Sequence, residues 1–199
     1  MIGSILEGVR NVIDDDIKSR LTSPPENRII SLGNVSQLES LDNLDGQIIM
    51  SLVNLEQDVP LRNNPAFSRI TDTEVRPHHP KIILNLYVLF ALHQADATDT
   101  SGLDMLTRLI ASIQRKNIFT SADIDISISP ENNLLQTEKI IFDLYSMSFE
   151  QLNHLWGILG GKYLPSVMYK VRLIIVFVQE DTATGVIRSM EREENVIQP

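Results

Sequence analysis

Apolar residues near the N-terminus fall at helical steps. Ile2, Ile5, Leu6, Val9, Ile13 and Ile17 share one side of MIGSILEGVRNVIDDDIKSR, which predicts an amphipathic helix ending before the Ser23-Pro24-Pro25 breaker. A short strand is expected at Arg28–Leu32, followed by a polar stretch around Gly33–Gly46. The segment Gln47–Glu56 (QIIMSLVNLE) alternates imperfectly and reads as a strand. Residues Gln57–Pro80 contain Pro60, Pro65, Pro77 and Pro80 with paired asparagines, and read as one long loop. Loops of that length in compact domains are usually functional or mobile. Lys81–His93 (KIILNLYVLFALH) is apolar on both faces and rich in β-branched and aromatic residues. It reads as a central strand covered on each side, with a buried helix as the competing reading.

In the second half, Asp99–Lys116 sets Leu103, Leu106, Leu109, Ile110 and Ile113 on one helical face. Ile124–Ile128 alternates Asp and Ser with Ile, the pattern of a half-exposed strand, and Lys139–Tyr145 is another strand candidate. Ser148 and Gln151 form a capping box. The helix they open carries Leu152, Leu155, Trp156 and Leu159, and stops at Gly160-Gly161. Val167–Val178 is the clearest strand: Val167, Tyr169, Val171, Leu173, Ile175 and Phe177 face one way, while Lys170 and Arg172 begin the other face. Gln179–Pro199 scatters apolar residues among Glu and Arg and reads as a mobile tail or a docking arm. The order of elements predicts an α/β (α+β) protein, a mixed β-sheet with two or three flanking helices. With no internal repeat, the expected organisation is a single domain over residues 1–179 and a C-terminal extension over 180–199.

Composition narrows the function classes. At 199 residues, 43% hydrophobic and 22% charged, the chain suits one well-filled core. Its 26 acidic and 17 basic side chains give a net charge of -9, which opposes binding to nucleic acid or an anionic membrane. The same charge keeps free subunits soluble and can steer them to a basic partner. Cysteine is absent, which excludes disulfides, thiolate nucleophiles and Cys-based metal sites. The first helix is too charged for a secretory signal, and the apolar run around Ile82–Leu92 is broken by Asn85 and too short to span a bilayer. Cytoplasmic assembly without membrane insertion follows, unless the chain leaves as part of a larger particle.

Candidate chemistry is sparse. His78 and His79 lie in the proline-rich loop near Glu74, where adjacent side chains point apart, and His93 and His154 are not at ligand spacing to them. Asp14, Asp15 and Asp16 fan out by about 100° each on a helix, so they do not converge on a cation, and a solvated helix end accounts for them. Asp123 and Asp125 would share one face of a strand, for which an exposed strand face suffices. In GILGGK, Trp156 holds the first glycine position of a phosphate loop and Tyr163 replaces the hydroxyl residue. These glycines also follow a helix instead of preceding one, so they read as a C-cap. With no GxSxG elbow or GxGxxG turn either, no active site and no cofactor are expected.

One stretch carries a specific signal. SFEQLNHLWGILGGKYLPSVMYKVRLIIVFV resembles the cap, or tail-terminator, family of phage-tail-like contractile injection systems, which includes those of the antifeeding prophage and the Photorhabdus virulence cassette. In that family a short helix ending in Leu-Trp leads to a Tyr-x-Pro-Ser turn and a long strand beginning with Tyr. The corresponding residues are Leu155, Trp156, Tyr163, Pro165, Ser166 and Tyr169. KIILNLYVLFALH, the N-terminal helix and the stretch Leu61-Arg62-Asn63-Asn64 also fit the plan, so the resemblance spans roughly Ile5–Val178. It implies core and scaffold roles, with Trp156 and Tyr169 pinning the last helix to the last strand and Pro165 fixing the turn between them.

By the same resemblance the chain forms a ring, expected to be a hexamer, that ends polymerisation of the inner tube, the sheath or both. The expected contacts are the Gln57–Pro80 loop, through Arg62, Asn63 and Asn64, and the tail, through Arg188, Glu191 and Arg192. Some family members continue well beyond this domain, whereas this chain stops about twenty residues after its last strand. That leaves tube, sheath and a longer paralogous cap all open as partners. The alternatives from other classes are a small-ligand or enzymatic α/β domain and a tail-borne membrane adaptor. The adaptor needs a basic amphipathic tail, and this tail is acidic on balance.

Overall fold

The computed structural model describes residues 2–40, 45–58, 67–69, 74–77, 82–94, 100–124, 135–160, 162–177 and 184–185. Its centre is the strand Ile82–His93 (β5), whose two-sided apolar pattern requires cover on both faces. β5 pairs antiparallel with Ser166–Phe177 (β8) on one side and with Gln47–Gln57 (β2) on the other. Beyond β2 lies Ile30–Leu32 (β1), in parallel. Beyond β8 lie Leu135–Tyr145 (β7) and Ile118–Phe119 (β6), both antiparallel. The resulting six-stranded mixed sheet runs β1-β2-β5-β8-β7-β6.

Strand alternation divides the core in two. On one face Leu86, Val88, Phe90 and Leu92 of β5 join Tyr169, Val171, Leu173 and Ile175 of β8. That face is covered by Ile2–Ser19 (α1) and Ser101–Arg115 (α2), through Ile5, Val9, Ile13, Leu106, Leu109 and Ile113. On the other face Leu89, Ala91 and Met168 pack with Trp156 of Phe149–Ile158 (α3), with Leu164, and with Val35 from a 3-10 turn at Val35–Ser40. The mixed sheet and flanking helices expected from the pattern are therefore present in one α/β domain, and Ile82–His93 is a strand, not a buried helix.

Two expectations need revision. Gln57–Pro80 is not wholly loop: Phe67–Arg69 (β3) pairs with Glu74–Pro77 (β4), and β4 pairs with Thr184–Gly185 (β9), forming a second, three-stranded sheet. Strands of three or four residues are too short to show a period, and Pro77 is tolerated because it ends its strand opposite Phe67. Ile124 is not the start of a strand but part of the turn region after β6. Its companions Asp125–Ile128, the Leu61–Asn64 stretch, His78, His79 and the extension apart from β9 lie outside the described residues.

At its outer edge β2 outruns β1, which pairs only with Ile48, Ile49 and Met50. A bulge falls between Leu52 and Asn54, and the Leu55 N–H donates to Asn54 Oδ1 at 2.9 Å. On the helical face, α1 approaches the turn after β6 so closely that a Cβ at Gly8 would stand 2.0 Å from Ile124 Cγ2. Helix propensity favours alanine over glycine by about 1 kcal/mol, but here overpacking opposes it. Gly8→Ala is expected to lower stability by about 1–3 kcal/mol in urea unfolding, whereas Gly3→Ala, with open space at its Cβ, leaves it unchanged or raises it.

Candidate functional site

The motif residues cluster around α3 and the entry to β8. Ser148 Oγ accepts from the Gln151 N–H at 3.2 Å, and Gln151 Oε1 accepts from the Ser148 N–H at 3.0 Å, completing the capping box. At the far end the Leu159 N–H donates to the Leu155 carbonyl, and Gly160 takes φ +112°, a left-handed exit open to glycine. Gly160 therefore ends a helix, as its position predicts. Leu155 is half-buried and Trp156 buried. Tyr163 stands against Trp156 edge-on, ring centroids 5.7 Å apart. The Pro165 carbonyl accepts from the Leu92 N–H at 2.8 Å, which ties the start of β8, at Ser166, to the end of β5.

Tyr169 does not join this group. It lies one residue after Met168 on β8, so its side chain is on the opposite face, beneath α1 and α2. The pinning of α3 belongs to Met168 with Trp156, and the expected Trp156–Tyr169 pair is corrected accordingly. Tyr169 instead forms the middle of an aromatic row across four strands. It meets Phe90 at 5.8 Å and Phe142 at 5.9 Å, and Phe142 meets Phe119 at 5.6 Å, all edge-on. Burial without a hydrogen-bond partner pushes the Tyr169 hydroxyl up to about 12.

The acidic triplet also departs from expectation. Fanning separates the three carboxylates, but only Asp15 is left exposed. Asp14 is buried, accepts from the backbone N–H groups of Ile29 and Ile30 at 2.8 and 2.9 Å, and pairs with Lys18 at 3.0 Å. Asp16 turns toward α2 and accepts from Ser112 and Arg115, while Arg20 reaches it from its own helix. Partial burial raises the Asp16 pKa, but the hydrogen bonds from Ser112, Arg20 and Arg115 outweigh it and hold the carboxyl at about 2. Asp123 serves its own turn, accepting from the Thr120 N–H and hydroxyl and from Lys116, which lowers it to about 2. These carboxylates are structural ties. Among the described residues no three potential ligands gather around a point that could hold a metal, and no helix is long and apolar enough to cross a membrane.

The two flanks of α3 are open. One holds a cleft of about 260 Å³ lined by Phe149, Leu152, Asn153, Trp156, Gly157 and Tyr163. The other holds a shallower depression of about 340 Å³, where Tyr87 and Tyr145 meet His154 and Leu155. Phe149 was not legible as a surface residue. Its spacing to Leu152 and Trp156 is that of a buried stripe, yet it is 90% exposed. Arg62, Asn63, Asn64, Arg188, Glu191 and Arg192 lie outside the described residues.

Residues 5–189, from inside α1 to beyond β9, match the family model of the Pvc16 N-terminal domain. The chain belongs to that family. A Pvc16 N-terminal domain is thus the sheet, its two layers of helix and the small second sheet together. The fold is similar to that of the sheath/tube terminator of an extracellular contractile injection system, PVC, in its extended state. That likeness has a TM-score of 0.57 and 14% identity, and covers 96% of this chain and 64% of the other. It is also similar to the tube-terminating cap of the anti-feeding prophage, with a TM-score of 0.56 and 12% identity, covering 92% of this chain and 59% of the other. The chain thus spans less than two thirds of either relative. No curated protein matches it in sequence.

Asp16 has its pKa depressed on folding, so its stabilisation is complete above the unfolded carboxylate range, near 4, and is lost as pH falls toward about 2. Asp16→Asn should therefore flatten the acid limb of a stability–pH profile between those values while changing the slope near pH 7 little. Trp156→Ala should cost about 3–5 kcal/mol in chemical denaturation. Tyr169→Phe, which removes only an unpartnered hydroxyl, should stay within about 1 kcal/mol of wild type.

Proposed function

We propose that this chain is a structural cap that ends growth of the tube, the sheath or both in a contractile injection particle, and that it has no catalytic role. The observation that carries the reading is the joint one: a Pvc16 N-terminal domain match over nearly the whole chain, and a fold shared with two terminators over 96% and 92% of it.

The physical mechanism is asymmetric complementarity. A terminator matches the exposed edge of the last polymer subunit on one side and offers no matching edge on the other. Copies of the chain close into a ring, taken here as a hexamer, through heterologous contacts in which one patch meets a different patch of the next copy. The loop segment at Arg62, Asn63 and Asn64 and the tail at Arg188, Glu191 and Arg192 are the proposed contact-making parts. Extended pairing between chains suits the tail, since Thr184–Gly185 is already a strand added to β4. A longer paralogous cap is a further proposed partner. Assembly in the cytoplasm, on a particle later released or anchored, fits this role.

Electron microscopy of tails from cells with and without the gene tests the reading. Deletion should give missing, unstable or overlong and uneven tails, and the intact gene should restore them. Tails of normal length and stability in the deletion strain would remove the cap role from this chain.

A further inference from the structure

The C-terminal ends of α1 and α2 enclose a pocket of about 290 Å³ beside β6. Its apolar wall is Val12, Ile13 and Phe119. Its rim is basic, with Arg20 just past α1 and Arg115 and Lys116 at the end of α2, each about half exposed. Both guanidiniums lean on one carboxylate. Arg20 at 3.0 Å and Arg115 donate to Asp16, which also accepts from Ser112 at 2.6 Å. Lys116 pairs with Asp123, which is not part of the lining, and stands 5.6 Å over the Phe119 ring. Three cations against one lining carboxylate leave the pocket positive, in a chain whose net charge is -9. Each guanidinium carries five N–H donors, more than a shared Asp16 can take up, so a second carboxylate can be held here. Basic side chains at helix C-termini gain a little from the helix dipole, but that gain requires neither an apolar wall nor the meeting of two helix ends.

The occupant must bring both negative charge and apolar side chains, and the chain's own tail has that composition. Glu191, Glu193 and Glu194 fall within four positions, and Val196 and Ile197 follow at once. Three glutamates against the single Arg192 make the segment opposite in sign to the pocket. A ring closed by heterologous contacts needs two unlike patches on one chain. A basic pocket and an acidic tail are such a pair, and charge complementarity between them fixes which patch meets which. We infer that this pocket receives residues 191–197 of the neighbouring copy. One glutamate of the segment pairs with Arg115 or Arg20, and Val196 or Ile197 packs against Val12 and Phe119. The inference rests on the reading of a ring with a contact-making tail, and it names the surface that the tail meets.

The chain contains no cysteine, so an engineered pair reports the contact directly. Lys116→Cys and Glu193→Cys are combined in one chain, and particles carrying it are oxidised and run on non-reducing denaturing gels. The expected products are multiples of the 22.5 kDa chain that collapse to monomer on reduction. They are missing when exposed Arg108 carries the cysteine in place of Lys116. A fluorescent peptide of residues 186–199 should also bind the purified full chain, at least fivefold more weakly after Arg115→Gln and equally well after Arg108→Gln. This titration decides the matter if the cysteine variants fail to enter particles. A disulfide within a single chain would put the segment on its own subunit. No disulfide, no peptide binding, or binding indifferent to Arg115→Gln would give the pocket to something else. Each of these overturns the inference. None touches the cap role, which the lengths of particles in the deletion and complemented strains report separately.

Discussion

Everything in this fold depends on the pairing of β5 with β8. β5 is apolar on both faces and β8 shares its register over ten residue pairs, from Ile82 opposite Ile175 to Ala91 opposite Ser166. Because the side-chain period of a strand is two, one pairing sends Val88, Phe90, Tyr169 and Val171 to one side and Leu89, Ala91 and Met168 to the other. Each side then needs its own cover. α1 and α2 supply it for the larger core, and α3 with Leu164 and Val35 for the smaller. A slip of one residue would exchange the two sets and strand both layers of helix on the wrong side chains.

The smaller core is covered mainly by one short helix. α3 buries Trp156 but leaves Phe149, Ile158 and Tyr163 exposed. On the larger core the helices are tied to the sheet and to each other by side chains. Asp14 holds α1 to the backbone of the Ile29–Ile30 segment, and Asp16 holds α1 to Ser112 and Arg115 of α2. Three consecutive carboxylates thus serve three directions: one toward the sheet, one toward solvent, one toward the neighbouring helix. Such ties fix α1 both to the sheet and to α2.

Much of this was legible from the sequence, for physical reasons that differ by element. Amphipathic spacing located α1 and α2, the capping box located the start of α3, and the two-faced run at Lys81–His93 located the central strand. What periodicity could not carry was tertiary context. β3, β4 and β9 are too short to have a period, so the loop reading of Gln57–Pro80 missed a second sheet. The solvated reading of Asp14 failed because nothing in DDD tells which of the three meets another element. The Trp156–Tyr169 pair failed on parity: Tyr169 is an odd step from Met168, and only the register of β8 shows that this puts it under α1. Motif residues that are neighbours in sequence can serve different cores.

The outer edge of β2 has a consequence for assembly as a whole. Beyond the short β1 it is interrupted by a bulge, and the Leu55 amide is already engaged by Asn54. Bare strand edges recruit other strands and can propagate into open-ended aggregates. Here that route is blunted within the strand itself. In a chain proposed to bring a polymer to a stop, this edge of the sheet withholds from stray chains the kind of template on which another fibre could begin.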